Sequence, residues 1–105
     1  MTGITTIRYL QEYIRSKDYH PELADKYFLK LSEEIGELAC AMRKNLRPAD
    51  EGQIKGTIEE ELWDVMYYAI AIANLYDIDL EQVIRLKEAV SNEKHKNDVT
   101  FEPEQ

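Results

Sequence analysis

Apolar residues recur along this chain with the 3.6-residue period of an α-helix, and no segment alternates like a half-buried strand. The first periodic stretch covers Thr5 to Lys17, with Ile7, Leu10, Tyr13 and Ile14 on one face. Asp18 to His20 supplies a turn, and Pro21 suits the first position of a second helix reaching about Asn45. Leu46 to Gly56, with Pro48, Gly52 and Gly56, reads as a loop. Thr57 and Glu60 form a capping box for a third helix that ends near Tyr76. Asp79 with Gln82 opens a fourth, which runs to about Asn97. The expected architecture is all-α, an antiparallel four-helix bundle-like domain over residues 1–97 with a flexible tail over 98–105.

The third helix departs from a single stripe, because Leu62, Val65, Met66, Ile70, Ile72 and Ala73 surround more than one side. Such a helix belongs in the middle of a bundle or in a subunit interface. A chain of 105 residues has a marginal core by itself, so a homo-oligomer is expected. Trp63 reads as packing in that interface. Gly36 reads as a site of close helix approach.

Charge narrows the partners. A formal net charge of −8 is opposed to binding a nucleic acid polymer, which needs a basic footprint, but not to a small phosphorylated substrate. Cys40 is the single cysteine, so neither a disulfide framework nor a thiolate metal site is available, and it reads as a small core residue. Arg8 and Glu12 break any apolar leader, and Asn74 interrupts the longest apolar stretch, Val65 to Tyr76, well short of a membrane span. A cytoplasmic protein with no membrane partner is expected.

Two carboxylate pairs break the helical stripes. The first stripe reads Leu23, Tyr27, Leu31, Glu34, Leu38, Ala41, and the second reads Glu61, Val65, Tyr68, Ile72, Leu75. Each motif, Glu34-x-x-Glu37 and Glu61-x-x-Asp64, sets two acids on one helix face. Glu37 lies about eight residues before the end of its helix and Glu61 about four into the next, a mismatch of roughly 6 Å that the loop absorbs. The pairs therefore face one another. A partly buried carboxylate without a partner costs several kcal/mol, and like charges add to that. A hard divalent cation relieves both, and Mg²⁺ or Mn²⁺ suits an all-oxygen donor set. Helical di-iron sites require Glu-x-x-His, and neither His20 nor His95 stands three residues after a glutamate.

The runs Lys30-Leu31-Ser32-Glu33-Glu34-Ile35-Gly36-Glu37-Leu38 and Glu60-Glu61-Leu62-Trp63-Asp64-Val65 resemble the E-E-x-x-E and E-x-x-D signature of the MazG-like all-α nucleotide pyrophosphohydrolases. The segment Ala71 to Glu81 is similar to the family's connection between third and fourth helices, and Glu93 to Asn97 to its C-terminal substrate-contacting stretch. The resemblance implies Mg²⁺-dependent hydrolysis of a nucleoside triphosphate to monophosphate and pyrophosphate by a homodimer or homotetramer. It implies Glu34, Glu37, Glu61 and Asp64 as metal ligands and Glu33 as a position that helps hold metal-bound water or a second ion. A carboxylate accepts the proton of the attacking water, and that base is left between Glu33 and Glu34. Clearance of noncanonical nucleotides is implied by resemblance alone.

Lys30, Lys94 and Asn97 are candidates for gripping the substrate, Asn97 because it continues the Val83, Leu86, Val90, Glu93 stripe inward. Tyr9, Tyr13 and Tyr68 offer stacking surfaces for a base. The competing readings are a phosphoribosyl-ATP-type substrate and a noncatalytic helical module with an acidic face.

Overall fold

The computed structural model describes residues 3–95 and 99–104, with only the backbone of Lys94 and His95. Four α-helices account for most of them: α1 (Ile7–Lys17), α2 (Ala24–Arg43), α3 (Ile58–Leu75) and α4 (Leu80–His95). No strand occurs among the described residues. Pro21 opens a single 3-10 turn, Pro21–Leu23, and the α-helical winding of α2 starts after it.

Local chemistry explains where the helices stop and start. The Thr6 hydroxyl accepts from the Tyr9 amide at 3.0 Å and so caps α1. At α3, Thr57 Oγ1 accepts from the Glu60 amide, while Glu60 Oε1 takes the amide of Gly56 rather than that of Thr57. The Thr57 amide is already committed to the Ile54 carbonyl, so the capping box is displaced by one residue. Asp79 Oδ1 accepts from the Gln82 amide at the start of α4, as the sequence suggests. α2 and α3 end alike: Asn45 and Asp77 adopt φ of 52° and 53°, and the amides of Leu46 and Ile78 return to the carbonyls of Ala41 and Ala73. These are Schellman ends with Asn and Asp where glycine is commonest.

α2 and α3 run antiparallel. The Ile58 amide donates to the Leu46 carbonyl at one end of the pair, and Phe28 and Leu29 line one pocket with Ile72 and Tyr76 at the other. α1 packs across α3 and delivers Ile14, which is fully buried, onto Tyr27, Ile70 and Ala71. Tyr13 falls outside that face and is exposed.

Amides, as much as apolar packing, hold α1 to the corner between α3 and α4. Gln11 Nε2 donates to Asn74 Oδ1 at 3.1 Å and to the Ile78 carbonyl at 2.8 Å. Asn74 Nδ2 donates to the Gln11 carbonyl, and Gln11 Oε1 accepts from the Leu80 amide. Arg15 adds an ion pair to Asp77, and Arg8 one to Asp79. Asn74, an interruption in the apolar run of the sequence, is a buried and satisfied hub.

α4 leans on α1 and leaves its other side uncovered. Val83, Leu86 and Val90 are 45%, 61% and 61% exposed, so the stripe expected to face inward faces out of the protomer. The physical reason is the corner at Asp77–Asp79, which directs α4 away from the α2–α3 pair. The radius of gyration, 16.3 Å, exceeds the roughly 13 Å of a compact chain this long. Residues 99–104 return to α4, where Asn92 exchanges two hydrogen bonds with the Phe101 backbone at 3.0 and 3.1 Å.

Gly36 has a different role from the one its position suggests. A Cβ there would meet nothing within 4 Å, so no helix approaches it. Cys40 is half-buried, with Arg43 beside its sulfur.

Candidate metal centre

The carboxylates that interrupt the stripes meet where α2 faces α3. One oxygen each from Glu34, Glu61 and Asp64 lies within 4.8 Å of the other two. Glu61 is buried, and Glu34 and Asp64 are half-buried. Glu34 Oε2 and Glu61 Oε2 are fully enclosed and have no hydrogen-bond partner. Three converging acids with two enclosed, unpartnered oxygens form an incomplete arrangement, since each such oxygen costs on the order of 1–3 kcal/mol until something positive meets it. The donor set is entirely oxygen, which fits Mg²⁺ or Mn²⁺.

Electrostatics describe the same crowding. Burial first, and then Glu37, Asp64 and Glu61, raise the Glu34 carboxyl to about 7. Burial and the Glu37 charge push Glu61 up, and burial with Glu60 and Glu37 pushes Asp64 up. Glu37 is exposed and lies outside the closest trio, yet its charge is felt by all three. It stands at the rim of the cluster.

Other residues singled out in the sequence flank the trio. Glu33 is exposed and pairs with Lys30 Nζ at 3.4 Å. That pairing raises the Lys30 ammonium, which also senses Tyr68 and Glu34. Tyr68 is half-buried between the carboxylates and Asp18, and burial raises its hydroxyl. Tyr9 and Tyr13 instead stack on one another along α1, with centroids 6.3 Å apart, and Lys17 covers the Tyr13 ring. Trp63 is partly exposed and meets the Tyr67 ring edge-on. Asn97 and the Lys94 side chain lie outside the described residues.

Residues 22–97 match the family model of the MazG nucleotide pyrophosphohydrolase domain. The chain belongs to this family. Crystal structures of iMazG from Vibrio DAT 722 agree in fold. An N-tagged form is 38% identical with a TM-score of 0.81, covering 89% of this chain and 100% of that one. A C-tagged form is 39% identical with a TM-score of 0.79, covering 84% and 99%. No curated protein gives a significant match. The MazG assignment makes the chain a nucleotide pyrophosphohydrolase, and the carboxylate trio lies inside the matched segment. Among the described residues no helix is long and apolar enough to cross a membrane.

One contributor escaped the sequence reading. Asp18, in the turn after α1, accepts from the Tyr27 hydroxyl at 2.7 Å and the Tyr67 hydroxyl at 3.2 Å. Burial, then Asp18, pushes Tyr27 to about 12 and raises Tyr67 further. Nothing in the local pattern marks Asp18, because its partners are 9 and 49 residues away.

Proposed function

We propose that this MazG chain hydrolyses a nucleoside triphosphate to the monophosphate and pyrophosphate with Mg²⁺, Mn²⁺ serving as a substitute. The observation that carries the reading is the pair of enclosed, unpartnered oxygens on Glu34 and Glu61 beside Asp64. Glu34, Glu61 and Asp64 hold the metal, and Glu37 completes the set from the rim. When bound, the metal neutralises phosphate charge and acidifies a water.

The chain's own residues supply the rest. Glu33 stands outside the converging trio, one residue before a ligand, and accepts the proton of the attacking water while Glu34 serves the metal. Lys30 sits one turn before Glu34 and offers its ammonium to the phosphates, exchanging Glu33 for a substrate oxygen. Lys94 and Asn97 follow as further phosphate or sugar contacts. The exposed apolar residues Leu62, Trp63 and Met66 of α3 and Val83, Leu86 and Val90 of α4 support a homodimer or homotetramer. A cytoplasmic setting and clearance of noncanonical nucleotides complete the reading.

The test is pyrophosphate release from a panel of ribo- and deoxynucleoside triphosphates with and without Mg²⁺. Turnover that disappears with chelator, and in Glu37→Gln and Asp64→Asn, supports the proposal. Turnover indifferent to metal and to both substitutions defeats it.

A further inference from the structure

α4 is tied to the protomer at its N-terminal corner and, further along, by the chain's own C-terminal segment. At the corner the Arg8 amide donates to Glu81 Oε2 at 2.9 Å, and the Arg8 guanidinium pairs with Asp79 at 3.3 Å. The Leu80 amide donates to Gln11 Oε1 at 3.0 Å. Among the described residues, no side chain of α4 beyond Glu81 forms a hydrogen bond or ion pair with α1, α2 or α3.

The second tie is Asn92, about three turns past the corner. Both ends of its amide engage the Phe101 backbone, Nδ2 donating to the carbonyl and Oδ1 accepting from the amide, as a neighbouring strand would. Phe101 supplies the apolar part of the same attachment. It lines one groove with Ile7 at the start of α1 and Ile84 of α4, and it is 38% exposed where Val99 of the same segment is 84% exposed. The burial of α4 follows this tie. Between Gln82 and Glu93 its half-buried residues are Glu88, Ser91 and Asn92, whereas Val83, Leu86 and Val90 lie on the opposite face and are exposed.

The buried core of Ile14, Tyr27, Ile70 and Ala71 comes from α1, α2 and α3. An element with few buried apolar contacts opens at a lower free energy than the core beside it. We propose that residues 99–104 form a strap holding α4 against the start of α1. On its release α4 swings open about the corner at Asp77–Asp79, with α1 to α3 still folded. The strap thereby fixes the direction in which the apolar stripe of Val83, Leu86 and Val90 is presented. It lies, like the start of α1, outside residues 22–97, so the segment matched to the family does not carry it.

Hydrogen–deuterium exchange of the full-length protein, read by mass spectrometry on peptic fragments, tests this device. Asn92→Ala removes both hydrogen bonds, and alanine is the better helix former, so loosening of α4 cannot come from propensity. Phe101→Ala empties the groove without touching α4. Val99→Ala, at an exposed position of the same segment, is the control. Asn92→Ala and Phe101→Ala are each expected to speed exchange at amides 84–93 by at least about tenfold while α2 and α3 keep their rates. Val99→Ala is expected to change nothing. Unaltered α4 exchange in the first two variants overturns the proposal, because another contact then holds the helix. Uniform acceleration through α2 and α3 overturns it as well, since the segment would then belong to the common core. Should Asn92→Ala fail to fold, Phe101→Ala carries the same test from outside the helix.

Discussion

Glu34 of α2 and Glu61 of α3 meet in one carboxylate cluster, and each keeps an enclosed oxygen without a hydrogen bond. Two facing acids in that state oppose folding until a cation arrives. Glu34→Gln is therefore expected to abolish Mg²⁺-dependent turnover and yet raise the metal-free thermal midpoint. Relief of about 1 kcal/mol corresponds to roughly 4 °C or more for a domain this size. Differential scanning calorimetry with chelator checks the stability half. A fall in the metal-free midpoint would show that the carboxylate has a structural partner.

The same crowding sets a pH dependence. Glu34 titrates at about 7 in the folded chain against an ordinary 4.5, so folding favours its protonated form. Stability from this group is present below about 4.5 and disappears as pH rises through about 7. Glu61 and Asp64 shift upward too and act with the same sign. The metal-free protein should accordingly melt at a lower temperature at pH 8 than at pH 5.5. Saturating Mg²⁺ should reverse the trend, adding about 2.7 kcal/mol at a hundredfold excess over Kd. Melting curves at both pH values, with and without metal, decide it.

Asn74 forms hydrogen bonds to Gln11 through both ends of its amide while buried in α3. Asn74→Leu keeps the volume but strips those partners, and Gln11 is left with one unanswered side-chain N–H while its carbonyl keeps only its place in the α1 ladder. A loss of about 2–4 kcal/mol is expected by denaturant unfolding, with no change in metal affinity. The paired substitution Gln11→Leu with Asn74→Leu should recover part of it, and additive losses would rule out direct coupling.

Much of this could be read from the amino acids alone. The four helices, the turn residues and the placement of Glu34 and Glu61 on inward stripes all follow from local period and cap chemistry. What escaped depends on contacts distant in sequence. Asn74 looked like a flaw because its partner Gln11 is 63 residues away. Asp18 looked like an ordinary turn residue because one of its two hydroxyl donors lies far away on α3. The outward set of α4 was illegible because it depends on the corner at Asp77, where a non-glycine residue adopts a left-handed conformation.

Gly36 permits a sharp test of the exposed surfaces. With open space around its missing Cβ, Gly36→Ala should stabilise an isolated protomer by about 1 kcal/mol through helix propensity. Destabilisation instead, together with a smaller mass by light scattering, would place Gly36 inside an interface between copies.

The loop between α2 and α3 is pinned at its base, where the Ile58 amide meets the Leu46 carbonyl at 2.9 Å. Between Leu46 and Ile58 the residues that touch α3 lie close to the pin, Arg47 on Glu59 and Gly56 on Glu60, whereas the turn at residues 50–53 bonds only to itself through Asp50. The number of residues between the two acidic motifs is thereby decoupled from the spacing of their side chains. Extra residues inserted near Asp50–Gly52 lengthen only an exposed excursion, and doubling its length costs only about 0.6 kcal/mol of closure entropy. This stretch of the chain is a place where peptide tags or reporter sequences can be grafted without moving a carboxylate.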